Sequence, residues 1–313
     1  MTTQFPETQV TQPPTARLAR YPAPLRWAAA VVQTSRPRQW PKNLLVFAAP
    51  LAGATLGRAD GLAYAFVAAA AFIAASSAVY FVNDVVDAER DRSHPYKRYR
   101  AVASGQLPKA HALALAAACV VASEAAGFLI GEPKLTLVIC AYLVLSFLYT
   151  LVLKHVPIVE MMFVASGFML RALGGAAATH VPPSGWFLLV CSLGAFMVAI
   201  AKRFTELRVL GTDAARHRPV MRWYSPELLR LSERVVAVVM IGAYLMWAYT
   251  GHDAWMRGWH LASAIPLAAA LIRFDWLTAK ASSKAVEDLI SRDTGMLCCE
   301  VAWLVLFAVG LYR

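Results

Sequence analysis

Apolar residues run along this chain in long blocks, not in the alternation of strands or the narrow stripes of soluble helices. Two of the clearest are GLAYAFVAAAAFIAASSAVYFV at 61–82 and LTLVICAYLVLSFLYTLVL at 135–153. Each matches the ~20 apolar residues that carry a helix across a bilayer. The same criterion predicts nine spans, at about 43–57, 61–83, 110–130, 135–153, 157–178, 185–202, 232–250, 260–274 and 296–312. The first and eighth are short.

Composition supports this pattern. Of 313 residues, 59% are hydrophobic and the mean hydropathy is +0.52, more apolar surface than a soluble domain of this length can bury. The expected fold is an all-α membrane protein with nine transmembrane helices. Residues 1–34 are rich in Pro, Thr and Gln and lack the positive-then-apolar layout of a cleaved signal. They read as a disordered lead ending in an interfacial helix, and residues 35–313 as one membrane domain. Cys119, Cys140, Cys191, Cys298 and Cys299 lie in or beside spans without metal-binding spacing, which points to buried apolar packing.

Charge adds a direction. The net charge is +11, and 25 of the 30 Lys/Arg fall before span 1 or in the loops after spans 2, 4, 6 and 8. The other side has only Arg58, Lys134, Arg257 and Arg313, with Arg171 inside span 5. The positive-inside rule therefore places the N-terminus in the cytoplasm. Anionic membrane lipids account for part of the basic face. No recognised motif accompanies it, which argues against nucleic acid. The two long loops, 84–109 and 203–231, lie on the same side.

The first of these contains NDVVDAERDRSHPYKRYR, residues 83–100. If span 2 continues as helix, Asp84, Asp87 and Asp91 share one face, with Asn83 beside them and Tyr80 one turn earlier. Clustered carboxylates repel unless cations sit among them. Mg²⁺ suits them, because it takes oxygen ligands, tolerates one or two carboxylates and completes its shell with water and phosphate. Lys97, Arg98 and Arg100 would hold the remaining phosphate oxygens by charge-assisted hydrogen bonds. The plainer alternative is a solvated loop whose charges pair with one another.

The series Asn83-Asp84…Asp87…Asp91, His94-Pro95…Lys97-Arg98…Arg100 and Ser104-Gly105…Pro108 resembles the UbiA superfamily of intramembrane prenyltransferases. The resemblance covers about residues 35–312 and implies a UbiA-like helical bundle with a polar cavity facing the cytoplasm. It implies Mg²⁺ held by Asn83, Asp84, Asp87 and Asp91. Ala101 stands where many members have proline.

A second aspartate-rich motif, usual after span 6 in the aromatic prenyltransferases of that superfamily, is missing. The chain instead reads AKRFTELRVLGTDAARHRP at 201–219, with Glu206 among Lys202, Arg203 and Arg208. A more basic second half suits a more anionic substrate pair. RPRQWPKN (36–43) and KRFTEL (202–207) resemble a branch of the superfamily whose donor is 5-phosphoribosyl 1-diphosphate and whose acceptor is decaprenyl phosphate or a similar polyprenyl phosphate. That resemblance implies transfer of the phosphoribosyl group with release of pyrophosphate. Lys202 and Arg203 would hold phosphates, and Glu206 would face the cationic sugar ring.

The intramembrane charges are expected to take part. Arg171 in span 5 is costly in lipid and reads as a phosphate contact, as does Lys154 just before that span. Glu160 is about three helical turns from Arg171, too far to pair with it. Tyr149 and Lys154 resemble a Tyr-plus-Lys element of the family. Lys42, beside Asn43 at the start of span 1, reads equally as a phosphate contact or a snorkelling anchor; Trp40 reads as an interfacial anchor. Two alternatives stay open: an aromatic prenyltransferase of quinone or heme synthesis, and a transporter or lipid-binding protein. The latter would show charges and broken helices near the midplane in related repeats, whereas this acidic cluster lies at a membrane boundary.

Overall fold

The computed structural model describes residues 22–94, 97–153, 156–211, 214, 219–250, 253–280, 286 and 293–311. Among these the chain is helical, with no strand. The main helices are α1 (Ala23–Ser35), α2 (Ala48–Ala52), α3 (Ala59–Val86), α4 (Ala88–Arg92), α5 (Lys109–Leu129), α6 (Pro133–Leu151), α7 (Val159–Ala178), α8 (Gly185–Leu210), α9 (Pro226–Tyr249), α10 (Ala254–Lys280) and α11 (Thr294–Leu311).

Seven of them, α3, α5, α6, α7, α8, α10 and α11, are long and apolar enough to cross a membrane. Nine spans were expected, and the two shortfalls have different causes. The run at 43–57 is broken. A 3₁₀ stretch, Pro37–Phe47, carries Pro41 in its interior, hands over to the five-residue α2, and the chain then turns at Ala54 with φ 54°. Proline removes a backbone donor and clashes with the preceding turn, so the local apolar character does not become a continuous helix. The run at 232–250 does fold as a helix of 24 residues, but starts earlier, at Pro226. Ser225 caps it by accepting from the Leu228 N–H at 3.0 Å. Its first turns carry Glu227, Arg230, Glu233 and Arg234, which dilutes its apolar character.

Lipid tails are as apolar as leucine, so small residues that allow close approach matter more than hydrophobicity in joining membrane helices. Helix α3 shows this: Ala65, Ala68, Ala71, Ala75, Ser76 and Ala78 are buried, and α3 packs against α5, α6 and α7. Phe72, Leu135, Ile139, Tyr142 and Val46 form that half's core. The second half, α8 to α11, has its own core around Met240, Leu271 and Phe274. Met161, Ile200, Phe204 and Leu229 join the halves where α7 meets α8 and α9. The 3₁₀ stretch lies directly on α7: a Cβ added at Gly175 would come within 1.7 Å of the Val46 carbonyl oxygen. Only glycine admits that approach.

The cysteines are all free thiols. Cys119, Cys191 and Cys299 are half-buried, but Cys140 and Cys298 are exposed on the helix surface. Buried packing therefore does not describe those two; as small apolar groups they are compatible with a lipid-facing position.

Candidate active site

The acidic segment stays close to helical, as expected. Helix α3 ends at Val86, but the Asp87 N–H still donates to Asn83 O (2.9 Å) and the Asp91 N–H to Asp87 O (2.8 Å). Asp84 and Asp91 are buried, while Asn83 and Asp87 are half-buried.

Two arginines meet them. Arg36, the residue after α1, has a left-handed backbone with φ 52°, and its Nη2 donates to Asp84 Oδ1 at 2.5 Å. The same guanidinium stacks 4.7 Å from the Tyr80 ring centre. Arg100 Nη1 donates to Asp91 Oδ2 at 2.7 Å and lies 3.5 Å from Asp84 Oδ1. Pairing in this partly buried place relieves the carboxylate repulsion. Arg100 was expected on a phosphate; here it binds the acidic row. Arg36 received no role from the sequence, although it opens the RPRQWPKN segment.

The remaining basic residues of this loop are more open. Lys97 and Arg98 are exposed. The Lys97 N–H donates to His94 Nδ1 at 3.3 Å. Desolvation and the neighbouring Arg100 guanidinium pull the Lys97 ammonium below the usual lysine range. Arg98 binds the Tyr99 hydroxyl at 2.7 Å. Glu89 is held by Arg92 and Lys109 at 2.8 and 2.9 Å.

A second cluster joins the two halves. Glu160, fully buried on the first turn of α7, receives a bidentate pair from Arg203 of α8: Nε to Oε1 at 2.6 Å and Nη2 to Oε2 at 2.8 Å. Arg203 Nη1 donates to Glu206 Oε2 at 2.9 Å. All three guanidinium nitrogens are thus engaged within the protein, unlike the phosphate contact expected of Arg203. Lys202 is half-buried beside it and also has interactions of its own. The Tyr224 hydroxyl donates to Glu160 Oε1 at 3.4 Å and accepts the Ile158 N–H at 2.8 Å. Burial raises the Tyr224 phenol above its ordinary value, keeping it protonated for that role. Ile158 sits at φ 63°, ψ −50° with a 2.6 Å bond from Val159 N–H to Pro157 O. This is a tight three-residue turn with positive φ, strained for a β-branched residue. Sequence reading missed both Tyr224 and the Glu160–Arg203 pair, whose partners lie 43 positions apart.

Arg171 is buried too, but among neutral groups. It donates to Asn43 Oδ1 (2.7 Å), Tyr142 OH (2.9 Å) and Gly167 O (2.6 Å). This network stitches the 3₁₀ stretch, α6 and α7 together, whereas the sequence pointed to Arg171 as a phosphate contact. Arg171 and Glu160 do not pair, as their separation required. Lys42 is half-buried, with Nζ 6.0 Å from the Phe168 ring centre. Tyr149 is half-buried near the end of α6. Lys154 lies outside the described residues.

No group of three or more His, Cys, Asp or Glu able to hold a metal converges among the described residues. The donors on the acidic row are nonetheless all oxygen, and Arg36 and Arg100 already occupy part of Asp84 and Asp91. One or two carboxylates and an amide oxygen suit Mg²⁺ completed by water and phosphate, and do not suit a softer metal.

The model of the UbiA prenyltransferase family matches residues 43–291. The chain belongs to that family. A Mycobacterium tuberculosis protein named decaprenyl-phosphate phosphoribosyltransferase is 35% identical, across 90% of this chain and 94% of its own length. A Mycolicibacterium smegmatis protein of the same name is 32% identical, across 92% and 94%. Among solved structures, a UbiA homologue from Archaeoglobus fulgidus bound to GPP and Mg²⁺ superposes with a TM-score of 0.69 at 14% identity, covering 90% of this chain and 98% of that one. The likeness establishes the UbiA fold. With seven helices able to cross a bilayer, this UbiA-family chain is an integral membrane protein.

Proposed function

We propose that this chain transfers the 5-phosphoribosyl group of 5-phosphoribosyl 1-diphosphate to decaprenyl phosphate, or a similar polyprenyl phosphate, releasing pyrophosphate. The observation that carries this reading is the identity of 32–35% along nearly the whole length of relatives bearing that activity's name. The basic second half, where aromatic prenyltransferases have a second acidic motif, supports it. The domain is residues 35–313, in the bacterial inner membrane. The seven apolar helices, α9 and the broken entry segment make nine passes, and the polar ends of α3 and α8 border a cavity open to the cytoplasm.

Mg²⁺ held by Asn83, Asp87 and the unbridged oxygens of Asp84 and Asp91 would stabilise the departing pyrophosphate. The chain's own groups do the rest. Lys97 and Arg98, exposed at the mouth, bind diphosphate oxygens by charge-assisted hydrogen bonds. Arg36 and Arg100 fix the acidic row and offset part of its negative charge. Lys202, Lys42 and Lys154 supply positive charge for the two other phosphates. Positive charge grows on the ribose ring as its C1–O bond stretches, and Glu206, oriented by Arg203, faces it. The lipid phosphate oxygen is already anionic and attacks C1 opposite the leaving group without a general base. The anomeric centre inverts.

The test is a two-substrate assay on purified protein. Labelled 5-phosphoribosyl 1-diphosphate with decaprenyl phosphate should give labelled lipid, and polyprenyl diphosphate with 4-hydroxybenzoate should give none. The reverse outcome would make the chain an aromatic prenyltransferase.

A further inference from the structure

A cleft of about 330 Å³ lies between α9 and α10, away from the acidic row. It falls at the lower end of ligand-pocket sizes, roughly 300–1,000 Å³. Its walls are apolar, from Met197, Ala237, Ile241, Ala268 and Leu271, and its rim residues Val238 and Ile272 are 73% and 72% exposed. Glu233, Arg234 and Asp275 close one end.

That end is unusual in what it leaves unbonded. Glu233 is 1% exposed. Thr278 Oγ1 donates to its Oε1 at 3.1 Å, while Oε2 is buried with no hydrogen-bond partner among the described residues. A buried acceptor left unpaired forfeits the hydration it had in water, so this oxygen calls for a donor. Arg230 and Arg234 both turn to Asp275, at 2.7 and 3.2 Å, and Arg230 Nη1 is likewise buried without an acceptor. Two guanidinium groups sharing one carboxylate leave cationic capacity next to an unsatisfied carboxyl oxygen.

We propose that this cleft binds a zwitterionic aminophospholipid, with an acyl chain between α9 and α10, its phosphate on Arg234 and its ammonium donating to Glu233 Oε2. The mouth and the headgroup are complementary in sign, cation to phosphate and carboxyl to ammonium. A polyprenyl monophosphate fits less well, because it brings no donor for Glu233 and places negative charge beside it. The site stands independently of the transfer reaction.

The experiment reconstitutes the full chain in bilayers containing equal parts phosphatidylethanolamine and phosphatidylcholine, extracts it gently and identifies retained lipid by native mass spectrometry. The two heads carry the same charges and differ at the nitrogen, three N–H donors in one and three methyl groups in the other. One phosphatidylethanolamine per chain should be retained at least about tenfold over phosphatidylcholine, the ratio that ~1.4 kcal/mol supports. Ala268→Trp, which fills the cleft, should abolish retention, and Glu233→Gln should erase the preference between the two heads. Equal retention of both lipids by the unaltered chain would overturn the proposal without recourse to any variant. So would unchanged retention in a monodisperse Ala268→Trp protein, or polyprenyl phosphate recovered in place of phospholipid.

Discussion

The two charged clusters are built on opposite plans. In the first, carboxylates lie in a row on one helix, and arginines arrive from elsewhere in the sequence, Arg36 from the end of α1 and Arg100 from the following loop. Both arginines remain about 30% exposed, so water and a ligand can reach them. In the second, Arg203 is enclosed by Glu160, with side chains 9% and 0% exposed, and the pair locks α7 to α8. The first cluster leaves its cations partly open to solvent, and the second encloses its own. A cation in this family's sequence motif is therefore not automatically a substrate ligand. Its exposure, and whether its nitrogens are already engaged, decide.

The sharpest way to break this contrast is at Asp87. Asp87→Ala should lower kcat by on the order of 10³ while the protein stays monodisperse in detergent; near-normal turnover at saturating Mg²⁺ would remove the acidic row from the reaction. Next comes the buried pair. Arg203→Met should destabilise the chain by about 3–5 kcal/mol, since it strands Glu160 in a dry site. Pairing it with Glu160→Met should recover much of that loss in thermal unfolding. If Arg203→Met instead raised the donor KM without moving Tm, Arg203 would itself be a phosphate ligand and not a lock between α7 and α8.

A smaller effect is expected at Arg36. Arg36→Ala should lower Tm less than loss of Arg203 does, because Arg100 still lies 3.5 Å from Asp84 Oδ1, yet shift the Mg²⁺ concentration needed for half-maximal activity by severalfold. Lys97 should give the smallest signal. Its pKa lies below the ordinary lysine value, so its charge is present at neutral pH and is lost earlier than usual as pH rises. Donor KM should therefore climb on the alkaline side, and Lys97→Arg, which stays charged, should flatten that limb.

Much of the fold is legible in the apolar blocks, because a bilayer leaves the backbone little choice but helix. The entry segment was misread for the same reason: Leu44–Leu51 is apolar enough, and Pro41 decides otherwise. The acidic row is legible because its members are near neighbours on one helix. Arg36, Tyr224 and the Asn43–Tyr142–Arg171 network are not. Their partners are 48, 64 and up to 128 positions away, and no local periodicity encodes such meetings. Glu160 and Arg171 were correctly kept apart by helix geometry, but the identity of Glu160's true partner required the packing of α7 on α8.

The absence of a side chain at Gly175 has a mechanical outcome. With the Val46 carbonyl seated directly on that backbone, the ribbon bearing Lys42 and Asn43 is anchored to the bundle at a point with no slack. Lys42, four residues before that contact, is thereby kept against α7, with its ammonium beside the Phe168 ring.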